Sequence, residues 1–211
     1  QKARKGDVIV VAPGEYRESM RVSTAGLTIL GSAPGQDAPQ VVIAAPAGKA
    51  GPVLADSADT VWRGIAFRIG DSAAINLRGF AGRFEFCHFT SESPVPGIEV
   101  YGGDFVFQGC TFSGGAEPTA MLALNGQAGR KSRVTLAYCL FRDNPGGAVL
   151  LRGEQDVRFV NCLFAACRFV AMRQAGVGAQ ISAINSVFFL SPEPSLFLQS
   201  AAAPKARLEN C

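Results

Sequence analysis

"VRFVNCLF" (residues 157–164) is a phrase that the chain repeats with small changes. It is preceded by "GRFEFCHF" (82–89), "DFVFQGCTF" (104–112) and "RVTLAYCLF" (133–141), and followed by "QISAINSVF" (180–188) and "ARLENC" (206–211). Every copy carries Cys or Ser two residues before a Phe, except the last, where the sequence given stops at the Cys. Aligned on Phe67, Phe89, Phe112, Phe141, Phe164 and Phe188, the copies follow one another at steps of 22, 23, 29, 23 and 24 residues. A recurrence of this length marks a solenoid, in which no repeat can bury its apolar face alone and stacking makes the core.

The spacing inside the phrase selects strands. Val157 and Phe159 alternate with Arg158, and Cys162 and Phe164 flank Leu163. Period two is the strand period, and the i, i+3, i+4 spacing of a helix is absent. Between the two short strands stands Gly64, Phe86, Gly109, Tyr138, Asn161, Asn185 or Asn210. Gly and Asn tolerate positive φ, so this position predicts a bend. A third alternating segment follows about ten residues later, as "PVLADS" (52–57), "AINLRG" (74–79), "GIEVYG" (97–102), "MLALNG" (121–126), "AVLLRG" (148–153), "VAMRQA" (170–175) and "SLFLQS" (195–200). Three strands per repeat predict an all-β, right-handed parallel β-helix of about 7–8 coils of 22–29 residues, forming one domain over 1–211.

In such a coil equivalent positions stack about 4.8 Å apart. Cys87, Cys110, Cys139, Cys162 and Cys211, with Ile65 and Ser186, then form one inward column, and the phenylalanines form a second beside it. A free thiol there acts as a small hydrophobe. Cys167 falls outside the column, and the sequence places it in an accessible turn. With no CxxC pair and a single His, His88, no zinc site is expected, and no other metal or cofactor is implied.

Bulk composition narrows the class. Apolar residues make up 48% and charged residues 18%, which excludes a disordered chain. The net charge is +3 and the one dense basic run is "QKARK" (1–5), which argues against nucleic acid as a partner. No apolar run reaches the length of a membrane span, so membrane insertion by this segment is not expected. The sequence reads as a fragment of a longer protein: residues 1–5 as the tail of a capping amphipathic helix, residues 6–211 as the coils.

The opening "GDVIVVAPGEYRESMRV…LTILGSAPG" (6–35) and the recurrent rung resemble the pectate-lyase-like parallel β-helix superfamily. The likeness is to its short-repeat branch of carbohydrate-binding and sugar-hydrolase-type modules and NosD-like periplasmic proteins. That resemblance places any ligand on the outer face of the third strand, and it implies an extracytoplasmic location. The polar outward column there is Asp56, Arg78, Tyr101, Asn125, Arg152, Arg173 and Gln199, with Glu99 two residues before Tyr101. Arginines for carboxylates or hydroxyls and a Tyr for stacking suit an extended polysaccharide. The neighbouring column is Leu54, Asn76, Glu99, Ala123, Leu150, Ala171 and Phe197.

The enzyme signatures of that superfamily are missing. Asp56 and Glu99 are too sparse for a calcium site of the lyase type. No paired carboxylates stand where a hydrolase needs an acid and a base. "DFVFQG" (104–109) resembles half of a methylesterase motif but opens an ordinary rung. No "GxxxxGK[ST]" loop is present. No catalytic residue is therefore assigned, and the polar column reads as a binding surface. Three functions fit: a non-catalytic polysaccharide-binding or scaffold module, an extracytoplasmic sensor domain of a larger receptor such as a transmembrane serine/threonine kinase, and a polysaccharide lyase or hydrolase whose site lies partly outside this segment. Outward apolar stripes at Leu140, Leu163 and Val187, and at Leu150, Ala171 and Phe197, are uncommon on a monomer: either loops cover them, or they meet a protein partner or a second copy.

Overall fold

The computed structural model describes residues 2–31, 39–46, 53–55, 59–70, 75–78, 81–92, 94–115, 119–125, 132–153, 155–169, 171–174, 180–189, 196–198 and 205–211; for 53–55, 171–174, 196–198 and 205 it describes the backbone. Among these residues every regular element is a strand and every pairing is parallel. The strands recur in threes and assemble into sheets of nine, eight and eight. Sheet I holds the first strand of each phrase, for example Ser132–Ala137 and Gln155–Val160. Sheet II holds the second, for example Leu140–Asn144 and Leu163–Cys167. Sheet III holds the third, for example Ile98–Tyr101 and Val149–Arg152.

The predicted bend forms at every rung. Gly64, Phe86, Gly109, Tyr138, Asn161, Asn185 and Asn210 all have φ between 49° and 63°. Their amides carry the hydrogen-bond ladder around the corner: Phe86 N–H donates to Gln108 O (2.9 Å), Gly109 to Ala137 O (2.9 Å) and Tyr138 to Val160 O (2.9 Å). Asn210 Nδ2 donates to Asn185 Oδ1 at 3.1 Å, so stacked asparagines also bond one another. For a bulky L-residue this left-handed conformation costs about 1–2 kcal/mol, and Phe86 and Tyr138 adopt it.

Inside the corner the columns stack as their spacing requires. Phe67, Phe89, Phe112, Phe141, Phe164 and Phe188 lie ring on ring with centroids 4.4–5.2 Å apart. Sheet I sends in a second set, Trp62, Phe84 and Phe107, whose rings meet the first set edge-on. Such pairs add about 0.5–1.5 kcal/mol each beyond the area they bury.

The thiols are free and form the third column. Each Sγ lies within reach of a carbonyl of the rung before: Cys87 to Trp62 O (3.6 Å), Cys110 to Phe84 O (3.4 Å), Cys139 to Phe107 O (3.4 Å) and Cys162 to Leu136 O (3.3 Å). Ser186 takes the same place, donating to Ile184 O (3.1 Å) and accepting from Cys162 N–H (3.2 Å). Burial pushes the Cys110 thiol well above its ordinary value, which keeps it protonated and inert.

Two expectations are corrected. Residues 2–4 form no helix and Lys5–Gly6 is a turn, yet Ala3 packs on the end of the core, so the segment covers the first rung as irregular chain. Cys167 does not sit in an accessible turn. It ends the strand Leu163–Cys167, pairs in register with Asn144 and is fully buried, with Asn144 Nδ2 donating to its Sγ at 3.4 Å. The reason is a second bend, where Asp143 and Ala166 take positive φ and turn the following residue inward. The exposed thiol is Cys211.

Candidate functional site

The outer face of sheet III is built by register. Tyr101 stands opposite Asn125, and Asn125 opposite Arg152. Val100 pairs with Leu77, so Arg78 continues the column on the other side of Tyr101. Alternation turns Leu77, Val100, Leu124 and Leu151 into the core, all fully buried, and leaves the residues between them outside.

Side-chain contacts hold the column in two groups. The Arg78 guanidinium lies over the Tyr101 ring, 4.9 Å from its centroid. Tyr101 Oη donates to Glu99 Oε2 at 2.9 Å. Arg152 Nη1 donates to Asn125 Oδ1 at 3.5 Å. Partial burial raises the Tyr101 pKa, and the bond to Glu99 reinforces the shift, so the phenol stays protonated and donating. Arg78 occupies one face of the Tyr101 ring, so Tyr101 serves this surface as a hydrogen-bonding group more than as a stacking platform.

Of the residues read from sequence, the structure brings Arg78, Glu99, Tyr101, Asn125 and Arg152 into one strip. Asp56 and Gln199 lie outside the described residues. Arg173 is corrected: it pairs with Leu151, in the register of the buried column, and Gln174 pairs with Arg152. "VAMRQA" alternates equally well in either phase, and the pairing of Val149 with Ala171 decides it. The same shift puts Met172, not Ala171, opposite Leu150.

Of the apolar stripe predicted beside the column, Leu150 is not open; the side chains of Ala171 and Phe197 lie outside the described residues. Leu150 is 3% exposed and Ala123 fully buried, because Ala120 and Phe169 close over them as a small second core. Ala148 N–H donates to Phe169 O (2.9 Å) and Arg168 N–H to Asn144 O (3.1 Å), which dock that segment. A Cβ on Gly147 would stand 2.4 Å from the Phe169 ring, so only glycine leaves the ring its seat. The sequence allows a loop cover but does not identify it, because Phe169 falls between two strand phrases and shares no period with them.

Concave grooves are found on the other two sheets. One of about 570 Å³ on sheet I is lined by Arg133, Asp156, Arg158 and Arg207 among others, and one of about 590 Å³ on sheet II by Glu15, Arg68, Thr90 and Ser113. On sheet I the Glu85 carboxylate is clamped between Arg63, whose Nε donates to Oε2 at 2.7 Å, and Arg83 at 3.5 Å. Among the described residues no three His, Cys, Asp or Glu converge as metal ligands, and no helix is long and apolar enough to cross a membrane.

A family model described as "Right handed beta helix region" matches residues 54–192. The chain belongs to this right-handed β-helix family. No curated protein matches the sequence. Membership fixes the coil and its hand; it assigns no chemistry to the outer faces, on which this fold carries many unrelated sites.

Proposed function

We propose that the chain is a non-catalytic binding module that holds an extended polysaccharide along the outer face of sheet III. The observation that carries this reading is the strip of two pre-positioned groups set side by side by register, Arg78–Tyr101–Glu99 and Asn125–Arg152, each held by side-chain contacts before any ligand arrives. Pre-positioned donors and acceptors lose little freedom on binding. Guanidinium groups at both ends offer paired donors to carboxylates or vicinal hydroxyls, and the Glu99 carboxylate accepts from hydroxyls.

The test is affinity electrophoresis through gels containing polygalacturonate, alginate or xylan. Retardation of the wild type in at least one gel is expected, with loss of it in Arg78→Ala/Arg152→Ala. Both substitutions are on the surface and should change stability by no more than about 0.5 kcal/mol. Equal mobility of variant and wild type in every gel counts against the sheet III site.

A second reading, an interaction scaffold or sensor surface, is favoured by the outer face of sheet II. Leu163 is 41% exposed, Val187 57% and Phe189 57%, with Leu140 half-buried beside them. Concentration-dependent sedimentation that disappears in Leu163→Ser/Val187→Ser is the result expected of self-association through this stripe.

A further inference from the structure

The corner between sheets I and II carries an anomaly. At that position the described rungs use Gly or Asn, residues that accept the left-handed conformation, except at two: Phe86 (φ 53°) and Tyr138 (φ 56°). Both strained residues are aromatic, and both are exposed, Phe86 by 49% and Tyr138 by 64%. An exposed aromatic ring at a strained backbone position is a poor structural choice, and strain of this kind concentrates at functional sites.

The two rings stand two rungs apart, about 10 Å along the coil, with Gly109 between them. That glycine is what lets the surface lie flat. A Cβ on Gly109 would sit 2.7 Å from Phe86 Cδ1, so the Phe86 ring spreads over the bare backbone of the next rung. Hydrogen-bonding groups border the corner on both sides, Gln108 on sheet I and His88 and Thr111 on sheet II, the last two in register on neighbouring rungs. Apolar rings edged by donors and acceptors match a pyranose, which has an apolar C–H face and a rim of hydroxyls.

We infer that Phe86 and Tyr138, separated by Gly109, form a second carbohydrate subsite, a stacking platform for the sugar rings of a polysaccharide running along the I–II corner. It takes its ligand class from the polysaccharide-binding reading but uses a different face and different chemistry. Sheet III grips through charged hydrogen bonds; the corner grips through ring faces.

The test uses Phe86→Asn, Tyr138→Asn and the double variant. Asparagine is the residue the fold itself places at 161, 185 and 210 of this column, so the variants keep the bend and are expected to melt no lower than wild type. Migration is measured in gels containing hydroxyethylcellulose, xylan or polygalacturonate, beside Arg78→Ala/Arg152→Ala. The expected result is an affinity about tenfold weaker in the double corner variant, with each single variant intermediate. A corner variant retarded like wild type overturns the subsite, and if only the arginine variant loses retardation the sheet III site stands without it. Loss in the corner variant with none in the arginine variant keeps the platform and removes the sheet III site. A wild type retarded by none of the polysaccharides overturns both. A lower melting temperature in Phe86→Asn with unchanged retardation makes the ring a cover for Gly109, and overturns the inference as well.

Discussion

Leu150 and Leu163 both point away from the core of the coil, and both read from sequence as members of outward apolar stripes. One is 3% exposed and the other 41%. The strands around them have the same alternation, so the strands do not explain the difference. Leu150 has Phe169 folded over it, from a segment docked by two backbone hydrogen bonds and seated against Gly147. Leu163 pairs in register with Leu140 and Val187 and stays open beside them. In a β-helix, then, alternation decides which way a side chain points, and the connecting segments decide whether it meets water.

The interior sets the scale against which this contrast can be measured. Phe112 is stacked between Phe89 and Phe141 and fully buried, so Phe112→Ala is expected to lower unfolding stability by about 3–5 kcal/mol in urea titration. Phe169→Ala should cost less, about 2 kcal/mol, since the ring is buried on one face of a sheet rather than inside the coil. It should also uncover Leu150, read as increased binding of a hydrophobic dye. Leu163→Ser should change stability by no more than about 0.5 kcal/mol. A cost for Leu163→Ser as large as that for Phe169→Ala would break the comparison and mean that the sheet II stripe is covered too.

The smallest effect is a pH dependence at the edge of the same sheet II face. His88 is half-buried, and burial, with Arg142 nearby, lowers its pKa below the usual 6.5. The unfolded chain therefore takes up a proton at a higher pH than the folded one. His88 supports the fold above about pH 6.5, and that support is lost as pH falls through the lowered value. Melting temperature should fall between pH 7 and 5, and His88→Gln should remove part of that slope.

What was legible in the sequence was what repeats. The bend at Asn161, the ring column through Phe164 and the thiol column through Cys162 recur at one period, because one rung must stack on the next. Register follows from the same requirement where side chains must enter the core, as at Val100 and Leu124, and that pairing sets Tyr101 opposite Asn125 on the outer face. It failed at "VAMRQA", where no large ring fixes the phase, and Arg173 was assigned the place Gln174 occupies. It also failed at Cys167, where the bends at Asp143 and Ala166 form without Gly or a second Asn to announce them. Phe169 was invisible for a plainer reason: covers lie in connections, and connections need not repeat. The outer columns vary from rung to rung because nothing in the stacking constrains them, and specificity in this fold resides there.

Thiol accessibility tests the coil most directly. The coil holds Cys87, Cys110, Cys139, Cys162 and Cys167 buried and reduced, and leaves Cys211 exposed. Titration of the reduced native protein with a chromogenic disulfide reagent should show one thiol reacting at once, with the other five appearing only in denaturant. Two or more fast thiols in the native protein, or fewer than six in denaturant without reductant, would contradict the stacked column.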